Sequence, residues 1–104
     1  MPKSEYHVLV DPSADKKMFS HIRFLARVSV PAAKRLFQSL SKAVYSLKTN
    51  PERYPYYITQ KPIDAELHYK VCDDRYLIIF EIIDNTVFVY DIQDTRQDID
   101  KNLV

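Results

Sequence analysis

The chain contains no glycine among its 104 residues, so every backbone position that needs a positive φ must be filled by a residue with a side chain. Short polar side chains tolerate the left-handed region best, because they can hydrogen-bond to their own backbone. That requirement singles out Asn50, Asp73-Asp74, Asp84-Asn85 and Asn102 as the expected turn positions. It also excludes phosphate-cradling loops of the P-loop or dinucleotide type, in which the backbone approaches phosphate only where glycine removes the Cβ. Nucleotide-hydrolysing and NAD-dependent chemistry fall away with them.

A length of 104 residues, 46% hydrophobic and 28% charged, fits one compact domain over residues 1–104 with a core of its own. No apolar run approaches the roughly 20 residues that span a bilayer, and Met1-Pro2-Lys3-Ser4-Glu5 lacks the apolar segment of a secretion signal. These features place the chain in the cytoplasm, away from membranes. Cys72 is the single cysteine, so neither an internal disulfide nor a thiolate zinc cluster can form. Its neighbours Asp73 and Asp74 disfavour the thiolate, which makes Cys72 a packing residue and a poor nucleophile. The three histidines have no metal-ligand spacing with carboxylates, and no cofactor is implied.

Tyr6 to Val10 reads as a short strand that stops at Asp11-Pro12. A helix follows, with Ser13 as its expected cap, Asp15 in the first turn, and Met18, Ile22, Leu25 and Ala26 on one face. Ser29 and Pro31 mark a stop and restart. Ala33, Leu36, Phe37, Leu40, Ala43, Val44 and Leu47 then form a second amphipathic stripe that ends at Asn50-Pro51. So short a break predicts that the two helices fold back as a hairpin. From Pro51 to Pro62, three prolines interleaved with Tyr54, Tyr56 and Tyr57 describe an ordered loop that packs through its rings.

Three strands are expected in the remainder. In Ala65 to Val71, Leu67, Tyr69 and Val71 alternate with Glu66, His68 and Lys70, which predicts a half-exposed strand with the histidine and lysine on its polar face. Tyr76 to Ile83 is apolar on both faces except at Glu81, the pattern of a central strand, and Thr86 to Ile92 pairs with it across Asp84-Asn85. A polar cluster, Gln93-Asp94-Thr95-Arg96-Gln97-Asp98, follows where the hairpin meets solvent. The order β-α-α-β-β-β defines an α+β fold, an antiparallel sheet of about four strands against an N-terminal helical hairpin.

These residues carry a resemblance. Tyr6-His7-Val8-Leu9-Val10 leading into a helix with Ala14, then Leu47-Lys48-Thr49-Asn50-Pro51, Lys70-Val71, Arg75 to Ile82 and Asp94 to Asp98 together resemble the RelE/ParE family of type II toxins. The resemblance covers nearly the whole chain. It implies a toxin that arrests growth, held inactive by a cognate antitoxin and associated with plasmid stabilisation. One branch of the family consists of mRNA interferases, metal-independent endoribonucleases that inhibit translation by cutting messenger RNA in the ribosomal A site; the other poisons DNA gyrase without hydrolysing anything. Metal-free cleavage needs several cations to stabilise developing phosphate charge, and a proton acceptor to start in-line attack.

Carried over residue by residue, Arg96 matches the arginine after the last strand, and Lys70 occupies a position where the family usually has arginine. Lysine cannot grip two phosphate oxygens in a fork as arginine does. Leu77 stands where many ribonuclease members have arginine, and Asp100 where some have tyrosine. The nuclease reading therefore assigns phosphate contact to Lys70, Arg75 and Arg96, with His68 or Glu81 as proton acceptor, and takes the ribosome and mRNA as partners. The alternatives are a non-enzymatic inhibitor of gyrase and a decayed toxin without activity. Glu81 interrupts an apolar strand and needs a partner, for which Arg75 or Lys70 can supply the charge. His7 and His21 are expected to be structural.

Net charge is +1, yet its distribution is uneven. Lys16, Lys17, Arg23, Arg27, Lys34, Arg35, Lys42 and Lys48 lie between Lys16 and Pro51 with no carboxylate among them, whereas acids predominate from Asp73 onward. The helical hairpin is thus the more hospitable surface for a polyanion, although charges on the outer faces of amphipathic helices are commonly only solvated.

Overall fold

The computed structural model describes residues 5–59 and 64–96. The expectations placed on Pro62, Gln97, Asp98, Asp100 and Asn102 lie outside the described residues. In order along the chain are β1 (His7–Val10), α1 (Pro12–Ala26), α2 (Val30–Ser46), a 3-10 turn at Pro51–Arg53, β2 (Leu67–Cys72), β3 (Tyr76–Ile83) and β4 (Thr86–Asp94). The α+β class and the β-α-α-β-β-β order are those expected.

The four strands form one sheet in the order β1-β4-β3-β2. β2, β3 and β4 make an antiparallel meander, and β1 joins β4 in parallel, which makes the sheet mixed. The parallel pairing follows from connectivity. The helical hairpin carries the chain over one face, and β1 is left to pair with the free side of the C-terminal hairpin.

The turns answer the lack of glycine as expected. Asn50, Asp73, Asp74 and Asp84 all have positive φ, between 49° and 54°, whereas Asn85, the other expected position among the described residues, does not. Asp73-Asp74-Arg75 joins Cys72 to Tyr76, and Asp84-Asn85 joins Ile83 to Thr86. The cap of α1 differs from expectation. Asp11, not Ser13, caps it, accepting the Ser13 N–H at 2.9 Å, while Pro12 occupies the first turn. Proline has no N–H to leave unsatisfied, so the helix starts two residues earlier than a Ser13 cap allows. Ser29, expected only to mark the break between the helices, caps α2, accepting from the Ala32 N–H at 3.2 Å.

The core lies between the hairpin and one sheet face. Ala14 and Met18 of α1 and Leu36, Leu40 and Ala43 of α2, with Leu47 just beyond it, pack against Cys72, Tyr76, Ile78, Phe80, Val87, Val89 and Ile92. Between Asp91 and Val89, Tyr90 has no partner on β3, a bulge opposite Ile79-Phe80. The extra residue restores Val87 and Val89 to the helix side and sends Tyr90 outward. Leu40 is completely buried, whereas Phe37 is 45% exposed on the outer side of the same helix. Leu40→Ala is expected to lower the unfolding free energy by about 2–5 kcal/mol, through lost burial and the cavity left behind. Phe37→Ala should cost no more than about 1 kcal/mol; urea denaturation of the two variants checks the contrast.

Candidate functional site

The alternation of β2 is real, but its faces are the reverse of those expected. His68, Lys70 and Cys72 stand opposite Phe80, Ile78 and Tyr76, all on the helix-covered face, while Leu67, Tyr69 and Val71 oppose Glu81, Ile79 and Leu77 on the other. His68 is therefore not a surface histidine. It is 6% exposed, stacked on Phe80 at 5.4 Å between centroids and flanked by Tyr56 at 4.7 Å. Its Nδ1 lies 2.8 Å from the Tyr54 carbonyl oxygen, which can only accept, so Nδ1 carries the proton. An imidazole donating through Nδ1 to backbone and sandwiched between rings is placed as a structural element.

Lys70 lies beneath the end of α2. Its Nζ donates to Ser46 Oγ at 2.6 Å, and that hydroxyl in turn donates to the Ala43 carbonyl at 2.7 Å. Nζ also stands 5.1 Å above the Tyr54 ring, while the Arg53 guanidinium donates to the Tyr54 hydroxyl at 2.9 Å. Burial alone would raise the Tyr54 pKa, but the hydrogen bonds and charges of Arg53 and Lys70 outweigh it and hold the phenol below its ordinary value. The ring meets Phe80 edge-on at 6.1 Å, so the tyrosine loop closes the core as expected. Ser46 and Tyr54 as partners of Lys70 escaped the sequence reading; an alternation pattern does not show which helix end overlies a strand.

Arg75 and Arg96 converge on Asp94. Arg75 grips the carboxylate in a fork, Nε to Oδ1 at 2.9 Å and Nη2 to Oδ2 at 2.7 Å, and the Arg96 N–H donates to Oδ1 at 3.0 Å. Asp94 is only 2% exposed. It ends β4 and caps the turn that begins at Thr95, so the carboxylate fixes the place from which Arg96 leaves the sheet, while the Arg96 side chain is exposed. Burial acts to raise the Asp94 pKa, but Arg75 and the Arg96 N–H prevail and hold the carboxyl below its ordinary 3.8. The signal for this pair was present in the sequence. Arg75 precedes the central strand and Asp94 ends its partner, which makes them neighbours in an antiparallel hairpin.

Glu81 finds neither of its expected partners. It lies on the face away from the helices, and Tyr90 donates to its Oε1 at 2.7 Å; the bulge brings the phenol there. His21, expected to be structural, donates through Nε2 to the Ile92 carbonyl at 2.9 Å, satisfying an edge group of β4 beyond the end of β1. Lys17 supports the same edge through Asp91 at 2.9 Å.

The structure thus brings the expected residues together only in part. Lys70 lies two strands from the end of β4 that leads to Arg96, roughly 10 Å across the sheet at ordinary strand spacing. Three groups, at His68, Arg75 and Glu81, are taken up by Tyr54, Asp94 and Tyr90.

This fold, a helical hairpin on a meander with a cationic residue leaving the last strand, defines a small α+β domain class, and comparison with known families says which one. The family model described as ParE toxin of type II toxin-antitoxin system, parDE, matches residues 8–99. The chain belongs to this family, within the RelE/ParE toxins, and membership implies a cognate antitoxin as partner. No curated protein matches the chain. No helix among the described residues is long and apolar enough to cross a membrane.

Two outcomes test this geometry. Because the Asp94 pKa is lowered in the folded state, its contribution is complete above the ordinary carboxylate value of 3.8 and is lost as pH falls through the lower folded value. Asp94→Asn should cost roughly 2–3 kcal/mol near neutral pH, since it leaves Arg75 without its charge partner. It should also flatten the acid limb of the stability profile below about pH 4, measured by denaturation at a series of pH values. Burial first and Asp73 second push the Cys72 thiol up to about 11. Cys72 should therefore resist a thiol-specific chromogenic reagent at pH 8 in the folded protein, and react at once in denaturant.

Proposed function

We propose that this toxin arrests growth by binding a protein target without cleaving a substrate, and that the target is DNA gyrase. The observation that carries this reading is the internal use of the candidate cleavage groups. His68 is locked against a carbonyl, Arg75 is forked on Asp94, Glu81 is bonded by Tyr90, and Lys70 is bonded to Ser46. Of the five, the Arg96 side chain alone is exposed. In-line attack on a phosphodiester requires several cations converging on one phosphate and a base within reach of the 2′-hydroxyl. Cations already satisfied by carboxylate and hydroxyl must break those bonds before contacting phosphate. In this reading residues 1–104 form one toxin domain that acts in the cytoplasm, where the cognate antitoxin restrains it.

A second reading, ribosome-dependent mRNA cleavage, draws on one specific observation. Tyr54 is a phenol held below its ordinary pKa between Arg53 and Lys70, the kind of group that can exchange a proton beside a phosphate without metal. Induced expression with parallel transcript and DNA analysis separates the two. The first reading predicts growth arrest with filamentation, DNA breaks and intact transcripts. Primer-extension stops at codon boundaries, abolished by Arg96→Ala or Lys70→Ala, would replace it with the second. Undiminished growth at verified expression of folded protein would mean an inactive toxin and would overturn both.

A further inference from the structure

α2 carries charge of one sign only. Val30–Ser46 contains Lys34, Arg35 and Lys42 and no carboxylate, whereas a helix face that is merely solvated mixes both signs. Arg35, Ser39, Lys42 and Ser46 recur at i, i+4, i+7 and i+11, one per turn along a single face. Arg35 and Lys42 are exposed, and neither makes an ion pair or hydrogen bond among the described residues. Ser39, Lys42 and Ser46 line a hollow of about 440 Å³ against β2, and the Lys70 ammonium, 2.6 Å from Ser46 Oγ, adds its charge at the far end. Among the described residues that border the hollow, Asp73 is the one carboxylate and Val71 the one exposed large apolar side chain. The row is separate from the apolar crease between the helices, where Phe19 and Phe37 stack. At about 100° per residue, Arg35 and Lys42 stand on the far side of α2 from Phe37, so a partner seated in the crease leaves both cations unmatched.

We propose that Arg35, Ser39, Lys42 and Lys70 form a phosphate-backbone contact for duplex DNA, through which the toxin touches the DNA held by gyrase as well as the enzyme; this rests on the gyrase reading above. The chemistry of the row selects the occupant. Guanidinium, ammonium and hydroxyl are the side-chain donors that contact phosphate oxygens. Protein interfaces instead place apolar and aromatic anchors at their centre and use few lysines, and one valine at the margin provides no such anchor. Single-stranded RNA is gripped by rings on which its bases stack, and no aromatic residue stands in the row. A straight helix holds the donors along a line of roughly 16 Å, which follows about five successive phosphates of one duplex strand.

The test titrates the full chain, freed of antitoxin, into fluorescent duplex DNA of mixed sequence at a series of salt concentrations. Binding is expected to be independent of sequence and to weaken steeply with salt. Arg35→Ala combined with Lys42→Ala removes two exposed side chains and leaves the core intact. That pair should weaken DNA binding roughly tenfold at low salt and reduce the slope of log affinity against log salt by about 2. Lys16→Ala combined with Arg23→Ala removes the same charge from α1 and should change the slope by less than about 1. Stopping supercoiling by gyrase should take a higher concentration of the first pair than of the unaltered toxin. Unchanged affinity and slope in the first pair would overturn the proposal, and an equal loss in the second would overturn it by reducing the effect to net charge. Tighter binding to ribosomal RNA than to duplex DNA would assign the row to RNA. Loss of antitoxin binding in the first pair, with DNA binding intact, would assign it to the antitoxin; either result rejects the DNA contact. DNA binding is measured without gyrase, so the two readings fail separately: supercoiling untouched by a toxin that still binds DNA through the row rejects gyrase and supports the DNA contact.

Discussion

The fork between Arg75 and Asp94 is the contact on which the end of the sheet depends. It joins the turn that opens the central strand to the residue that closes β4, and the same carboxylate holds the Arg96 N–H in the chain's next turn. A buried carboxylate is costly unless it is paired and hydrogen-bonded; here both conditions are met within one hairpin. Arg96 therefore emerges from a fixed point, and Arg75, the other cation nearby, is already committed to holding it there.

The same economy recurs across the helix-covered face. β2 is an edge strand carrying a histidine and a lysine inward, where a strand of valines and isoleucines would fill the space more simply. Each polar head finds a local acceptor: the Tyr54 carbonyl for His68 and the Ser46 hydroxyl for Lys70. Aromatic rings cover what remains. Polar groups placed in this way fix the register of β2 against β3 and the position of the tyrosine loop. They serve the fold first.

Much of the architecture was legible in the sequence. Among the described residues the missing glycines pointed to Asn50, Asp73, Asp74, Asp84 and Asn85, and all but Asn85 occupy the left-handed region. The helical periodicities, except at the exposed Phe37, the break at Ser29 and the hairpin at Asp84-Asn85 held because local sequence alone decides them. Three features were not legible because they depend on distant parts of the chain. Period-two alternation shows that β2 has two faces but not which one the helices cover, and amphipathic side chains such as His68 and Lys70 tolerate the inner one. The bulge at Tyr90 gave Glu81 a phenol in place of a cation, and no residue type announces a bulge. The parallel pairing of β1 with β4 depends on where the hairpin returns the chain. For the candidate site, residue identities were visible, but their engagement with Tyr54, Asp94, Tyr90 and Ser46 was a matter of register.

The central claim is that this toxin inhibits by binding and leaves phosphodiester bonds intact. The most direct measurement adds purified toxin, freed of antitoxin, to two reconstituted reactions: gyrase with relaxed plasmid and ATP, and ribosomes translating a defined messenger. The account predicts that supercoiling stops while every transcript remains full-length. Messenger cut within the ribosome, with supercoiling unaffected, would contradict it.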